Sequence, residues 1–364
     1  MTSIVNIERP LQIHPQTNRH DAAADQIKHF IQANRMQPGD RMPTVRKMSD
    51  SFNLTRDAVW RALRTLQSEG WIDLQPNKRY TLSENLYKSI LRSISVRAVF
   101  SGNGYIHFSG FRRLADALTK ECLYHNIDLK IDLLPPGKKP PKSLWKNCEV
   151  LLIDSDSSGP MLEAFDEFSL PAIGLDANYS DRYWSNIVTD HHLGGRIAAE
   201  AMLKQREQNV VVLYYKGSES NPRVGPRIEG FRQAWLESGR SETYLTLVPI
   251  PWSRSSFEVA LNVQSYLKKN PAHGNYFITD GRLATNFLEV LAYQKVNVPR
   301  DVRVIGYDGA QRGELTDPPM TTIHQDMDRL AKSAVQCISH IVSGEEAPHT
   351  LNRVSPLLAL RGSF

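Results

Sequence analysis

From Val96 onward the chain alternates short runs rich in β-branched and aromatic residues with longer stretches of helical period, and few architectures accommodate that pattern. VRAVFS, IDLKIDLL, VLLIDS, PAIGLD, NVVVLYYKG, YLTLVPI, NYFITD and VRVIGYDG read as strands. FRRLADALTKECLYHN, MLEAFDEFS, LGGRIAAEAMLKQR, RIEGFRQAWLESG, FEVALNVQSYLKKN, RLATNFLEVLAYQ and MDRLAKSAVQCISHIVSG read as the helices that follow them, with a last strand near Leu357. Such repetition predicts parallel sheets covered by helices on both faces. About nine or ten strands exceed one comfortable sheet. Residues 96–364 are therefore expected to form a two-lobed, doubly wound α/β domain with a cleft between the lobes.

Ligands of such sheets sit beyond the carboxyl ends of the strands. The polar residues there are Asp154 after VLLI, Asp176 after PAIGL, Asp280 after YFIT and Asp308 after VIGY, with Arg227 opening a helix and Trp252 following YLTLVPIP. Carboxylates and a guanidinium can bind vicinal hydroxyls in pairs, and an indole can pack on the CH face of a sugar or stack on a planar base. Taken singly, each Asp is equally suited to capping a helix.

The first part of the chain has a different texture. Residues 1–20 carry no period and read as an irregular arm. Asp21 to Arg35 is a helix with Ala24, Ile27, Phe30 and Ile31 on one face, and QPGD is a turn. In MPTVRKMSDSFNLTRDAVWRALRTLQS, Thr44 and Thr55 are placed to cap two short helices. Val45, Met48 and Phe52 face inward from the first; Val59, Ala62, Leu63 and Leu66 make the apolar stripe of the second. The other face of the second shows Arg56, Asp57, Trp60, Arg61 and Arg64, a surface suited to reading guanine edges in the major groove. WIDLQPNKRYTLS reads as two strands joined at a tip carrying Lys78 and Arg79, able to touch phosphates or the minor groove. Residues 84–95 read as a linker.

Residues 21–83 resemble the DNA-binding domain of the GntR family, on the run PGDRMPTVRKMSDSFNLTRDAVWRALRTLQSEGWI. The resemblance implies a winged helix-turn-helix in which Thr44, Arg46, Thr55, Arg56, Lys78 and Arg79 meet DNA. Lys47, Trp60 and the Pro76-Asn77 wing tip depart from the family pattern. Residues 96–364 resemble the effector domain of the LacI/GalR repressors, which share the fold of periplasmic sugar-binding proteins. The matching pieces are NIVTDHHLGGRIAAEAM, PRIEGFRQAW, NVPRDVRVIGYDG and PPMTTIHQDMDRLAKSA. That resemblance carries effector contact to Asp154, Asp176, Arg227, Trp252 and Asp308, with Thr279 and Asp280 on the same rim, and favours a monosaccharide or similar polyol. The loop GNGYIHFSGF, with Tyr105, His107 and Phe108, lacks the family's Asn-Pro-Phe form. A GntR-type headpiece in place of the LacI headpiece makes the arrangement similar to that of the arabinose repressors of Gram-positive bacteria.

Charge agrees with this division. Residues 1–95 hold 14 Lys and Arg against 9 Asp and Glu, whereas residues 96–364 hold 30 of each, so the whole excess of +5 lies on the part expected to meet a polyanion. Three scattered cysteines suggest neither a disulfide framework nor a zinc site, and no signal or membrane-spanning run is evident, so a cytoplasmic protein is expected. His191 and His192 are adjacent, with side chains pointing apart, and are not expected to hold a metal. No serine lies in a GxSxG context, and neither catalysis nor a cofactor is expected. The expected function is repression of transcription from double-stranded operator DNA, relieved by a sugar-like effector. The same cleft serves equally if the effector is a corepressor or the protein an activator. A solute-binding or sugar-modifying protein is the reading from another class. A two-half-site operator and the absence of a tetramerisation helix after Phe364 predict a homodimer.

Overall fold

The computed structural model describes residues 19–34, 36–76, 78–83, 93–102, 109–135, 140–141, 145–154, 159–167, 170–179, 181–182, 184–205, 209–308, 313–344 and 351–364. Most of the arm, most of the stretch read as linker, Asn77 of the wing tip, and Tyr105, His107 and Phe108 lie outside them. The chain divides into two compact units, Met1–Ser93 and Ile94–Phe364.

In the first unit, α1 (Arg19–Ala33), α2 (Val45–Phe52) and α3 (Arg56–Ser68) are followed by the antiparallel pair β1 (Ile72–Leu74) and β2 (Tyr80–Leu82). The threonines cap as their spacing demands: Thr44 Oγ1 accepts the Lys47 amide at 3.3 Å and Thr55 Oγ1 the Ala58 amide at 3.2 Å. Asn53, at φ 53°, ends α2 in the left-handed conformation that Asn tolerates, which turns the chain into α3. Val59, Ala62, Leu63 and Leu66 are each at most 2% exposed and pack with Ile27, Phe30 and Met48. Burying each of the larger side chains contributes about 1.5–3 kcal/mol, which holds so small a unit together.

The second unit contains two six-stranded sheets. The first lobe is built on β3 (Ile94–Ser101), β4 (Ile127–Leu134), β5 (Val150–Asp154), β6 (Ala172–Leu175), β7 (Ser185–Thr189) and β13 (Leu351–Val354), in spatial order β13-β7-β6-β5-β3-β4 and parallel throughout. Ile94 and Ser95 pair with Ile127 and Asp128, so β3 takes in two residues of the stretch read as linker. Two helices, α4 (Ser109–Tyr124) and α10 (Met327–Val342), cover one face, and α5 (Gly159–Asp166) packs on the other.

The second lobe uses β8 (Val210–Tyr215), β9 (Leu245–Ile250), β10 (Gly274–Ile278), β11 (Val302–Tyr307), β12 (Thr321–His324) and β14 (Leu357–Ala359), in order β14-β12-β11-β10-β8-β9. Only β14 runs antiparallel, against β12. Two helices, α6 (His191–Leu203) and α7 (Val224–Glu237), lie on one face, and α8 (Ser256–Lys269) and α9 (Gly281–Tyr293) on the other. Central strands β5 and β10 are buried at every residue, as strands covered on both faces must be. Edge strand β9 is largely exposed between its buried ends, and at the edge of the sheet it can accept Pro249 without losing a ladder donor.

Among the described residues the two lobes hold twelve strands, more than the nine or ten expected. The strands β7, β12 and β13 were not legible as strands because they are short and carry no alternation. They are also where the chain changes lobe. It passes from β7 to α6 through Asp190, from β12 to α10 through Gln325 and Asp326, and from β13 to β14 through Ser355 and Pro356. The Asp190 amide donates to the Val354 carbonyl at 2.8 Å, tying the first crossing to the third.

Candidate functional site

A cavity of about 600 Å³ opens at the carboxyl ends of the strands, between the two lobes. Its first-lobe wall is Phe111 and Leu114 of α4, Met327 of α10, and Asp176 beyond β6. The second lobe supplies Arg227 from α7, and Trp252, Thr279, Asp280 and Asp308 from strand ends.

Arg227 is the organising group. Although only 4% exposed, its guanidinium donates to the Thr279 carbonyl at 2.8 Å and to Asp308 Oδ2 at 3.1 Å, and it lies 3.6 Å from the Tyr307 ring centre. A buried cation needs such partners. Its Nε also donates to His191 Nδ1 at 3.3 Å, and Tyr307 Oη sits 3.0 Å from the same nitrogen. With Nδ1 accepting, the His191 proton belongs on Nε2, which faces Asp176 Oδ1 at 3.5 Å. Burial, then the charge of Arg227, holds His191 below its ordinary value. Burial raises Asp176, but His191 and Arg223, whose Nη1 is 4.0 Å from Oδ2, outweigh it and leave the carboxyl below its ordinary range.

The polar contacts close on themselves across the crossings. Asp176 Oδ1 accepts the Thr189 amide at 3.3 Å, Thr189 Oγ1 donates to Gln325 Oε1 at 2.6 Å, and Gln325 Nε2 donates to Asp308 Oδ2 at 2.8 Å. Asp308 Oδ1 is buried and has no partner among the described residues. Leaving such an acceptor unmet costs about 1–3 kcal/mol, which a ligand hydroxyl donating to it recovers. Asp308, the residue after β11, adopts φ 65°.

α7 is brought to this position by glycine. A Cβ on Gly195 of α6 would lie 2.1 Å from the Arg227 carbonyl oxygen, and one on Gly230 of α7 would lie 2.0 Å from that of His192. The two helices therefore touch backbone to backbone, and Arg227 sits at their contact.

Six of the seven effector candidates line the cavity: Asp176, Arg227, Trp252, Thr279, Asp280 and Asp308. Asp154 does not. It is 0% exposed, its Oδ2 accepts the Ser101 amide at 2.7 Å, and Tyr179 donates to its carbonyl. A carboxylate this deep must be met by nearby donors, and the end of β3 supplies one, so Asp154 fastens two strands together and does not line the cavity. Asp280 faces the cavity while its Oδ1 caps α9 through the Arg282 and Leu283 amides, at 2.9 and 3.0 Å. Burial raises its carboxyl above the ordinary value. Asn221, Arg223, Arg282 and Gln325 also line the cavity and were not found from sequence. Gln325 had a usable signal, since it follows TTIH, but that strand was unrecognised. Among the described residues no cluster could hold a metal ion, and no helix is long and apolar enough to cross a membrane.

On the first unit, Arg46, Arg56, Lys78 and Arg79 are exposed. Lys78, at φ 60°, forms the turn between the wing strands, its amide donating to Gln75 at 2.9 Å. Thr44 and Thr55 are exposed caps. Arg61 pairs with Asp57 one turn earlier, and Trp60, 45% exposed, sets its ring edge-on to Tyr80 of β2 at 6.4 Å. Part of the Trp60 surface is thus spent on joining α3 to the wing.

Residues 19–81 match the model of bacterial regulatory proteins of the gntR family, and residues 199–364 match the periplasmic binding protein-like domain. The chain is 23% identical over 215 residues to the HTH-type transcriptional repressor PurR of Vibrio campbellii, covering 59% of this chain and 63% of that protein. It is also 23% identical over 219 residues to the ribose operon repressor of Escherichia coli K12, covering 59% and 64%. It therefore spans less than two thirds of the length of these curated relatives. Among solved structures, a LacI family transcriptional regulator from Enterococcus faecium with bound ribose superposes with a TM-score of 0.61 at 20% identity, covering 74% of this chain and 98% of that one. A complex of the transcriptional regulator CelR with cellobiose superposes at 0.59 and 16% identity, covering 89% and 100%. The chain thus joins a stretch that matches the gntR family model to one that matches the periplasmic binding protein-like domain, and it shares the two-lobed fold of the LacI-family regulator structures.

Proposed function

We propose that this protein is a sequence-specific transcriptional repressor whose hold on operator DNA is released when a small sugar-like effector enters the cavity between its lobes. The observation that carries the reading is the pair of buried Arg227 with Asp308 in the cavity wall, with Asp308 Oδ1 lacking a donor among the described residues. A hydroxyl can donate to that oxygen, and Trp252, half exposed at the mouth, offers a flat face to the CH side of a pyranose or furanose ring. Transcriptional regulators with sugar ligands in the same fold support the reading. On the first unit, α3 presents Arg56 and the wing presents Lys78 and Arg79, donors for base edges and phosphates.

The cavity walls come from both lobes, so an effector that contacts both stabilises one inter-lobe angle over another. A hundredfold change in operator affinity requires the effector to favour one state by about 2.7 kcal/mol. A homodimer is the assembly that fits a two-half-site operator, and the protein acts in the cytoplasm. Selection of bound genomic fragments by the purified protein, followed by gel shift on the promoter of its own operon with and without sugars, tests the reading. Release of a sequence-specific complex by a sugar is expected. Binding that is equal on all sequences at moderate salt overturns the repressor function, and tightening by the sugar reverses the assigned sense of regulation.

A further inference from the structure

The charges lining the cavity do not cancel. Lys216, Arg223, Arg227 and Arg282 face only Asp176, Asp280 and Asp308 among the described residues. Two of the cations have carboxylate partners, Arg227 with Asp308 at 3.1 Å and Arg223 with Asp176 at 4.0 Å. Asp280 is turned to the amides that open α9. Glu219, on the same loop as Lys216, lines a separate hollow, where it is hydrogen-bonded to Tyr214.

Arg282 feels the charge of nearby Asp280, but its hydrogen bonds go to neutral acceptors only. Its Nη2 donates to the Ser253 carbonyl at 2.8 Å, its Nη1 to the Arg254 carbonyl at 3.2 Å, and its Nε to Tyr215 Oη at 3.3 Å. One N–H on each terminal nitrogen has no acceptor among the described residues. The guanidinium also lies 5.8 Å from the Trp252 ring centre, so the indole and the cation face a ligand together. Lys216 is exposed and forms no ion pair among the described residues.

Strand order places this surplus. Along the second sheet the carboxyl ends run Gln325 after β12, Asp308 after β11, Thr279 after β10, Lys216 after β8 and Trp252 after β9. The acceptor that wants a hydroxyl is at one end and the unpaired cations at the other. Between β11 and β8 lie two strand spacings, roughly 10 Å, which suits an extended five- or six-carbon chain ending in an acid group.

We propose that the effector is an anionic polyhydroxy compound, a sugar acid or a sugar phosphate, with hydroxyls at Asp308 and its negative group towards Arg282 and Lys216. This rests on the reading of the cavity as the effector site and names the class of effector. A carboxylate or phosphate completes the donors of Arg282 in the charge-assisted geometry that guanidinium favours. A neutral sugar leaves them to water.

Calorimetric titration of the full chain with matched sets provides the test: ribose, ribonate and ribose 5-phosphate, and glucose, gluconate and glucose 6-phosphate, at low and high salt. At least one anion is expected to bind about tenfold or more tightly than its neutral parent, with the margin narrowing at high salt. The carboxylate and phosphate arms show which group supplies the charge. Arg282→Gln should remove most of the margin. Lys216→Gln, at an exposed position that does not bear on folding, should remove several-fold of it. Neutral sugars binding as tightly as both of their anions would overturn the charge preference and leave the sugar-effector reading standing. An anion preference that survives both substitutions also overturns the assignment. No binding by any member overturns the preference and the effector reading together.

Discussion

Gly230→Ala tests the contact that sets Arg227 in place. In an open helix, replacing glycine by alanine gains roughly 0.8–1 kcal/mol from backbone entropy. Here the new Cβ would lie 2.0 Å from the His192 carbonyl oxygen, 2.8 Å from its carbon and 3.1 Å from its Cα, all of them backbone. No side chain can swing aside, so α7 and α6 must part by at least about 1 Å. Overpacking of this kind costs about 1–3 kcal/mol. Parting the helices also draws Arg227 from Asp308, now 3.1 Å away, and from the Thr279 carbonyl, now 2.8 Å away, so a buried cation loses contact with its partners. The clash wins: a net loss of about 2 kcal/mol is expected. Urea unfolding is the assay. Trp235 on the same helix, 1% exposed, contributes to the fluorescence change of this lobe. An alanine variant about 1 kcal/mol more stable than the parent, as at an open helical site, would refute the claim that glycine is there for close approach.

Four further outcomes are expected. Arg56→Ala should weaken operator binding by about 1–3 kcal/mol and relax the preferred sequence; unchanged affinity in a competition gel shift would remove Arg56 from the reading surface. Lys78→Ala combined with Arg79→Ala should flatten the dependence of log affinity on log salt more than it alters sequence preference, and an unchanged slope would mean the wing leaves the phosphates alone. Trp252→Ala should abolish the effector response in the gel shift while operator binding persists; a full response would move the pocket elsewhere. The fourth concerns pH. Burial and neighbouring arginines hold both His191 and His324 below their ordinary value of 6.5 in the folded protein. Below that value the unfolded chain takes up protons that the folded chain refuses, so stability should fall as pH drops beneath 6.5 toward the folded values. Urea midpoints across this range should fall less steeply in His191→Gln, and an identical slope would show that His191 does not contribute to it.

The sequence alone determined a good deal. The stripe of Val59, Ala62, Leu63 and Leu66, the caps at Thr44 and Thr55, and the alternation that predicts two covered sheets are all local patterns. Each depends on residues within a few positions of one another, and backbone geometry converts that spacing directly into one buried face. The strand-end rule then brought most of the candidate residues to one rim, six of them lining the cavity.

Only the tertiary structure decided which strand-end carboxylates line the cavity. Asp154 and Asp308 look alike in sequence, each following an apolar run. One is consumed by the Ser101 amide, while the other keeps an oxygen without a partner among the described residues. Two more facts were hidden in the same way: that His191 orients Arg227, and that Gln325 joins Thr189 to Asp308. The partners are 136 positions apart in Thr189–Gln325 and 81 in Arg227–Asp308. Periodicity carries no information over such distances. The strands β7, β12 and β13 were unreadable for a related reason: a four- or five-residue segment becomes a strand when a neighbouring strand offers its ladder and helices cover it, and those neighbours are brought to it by the folding of the rest of the chain.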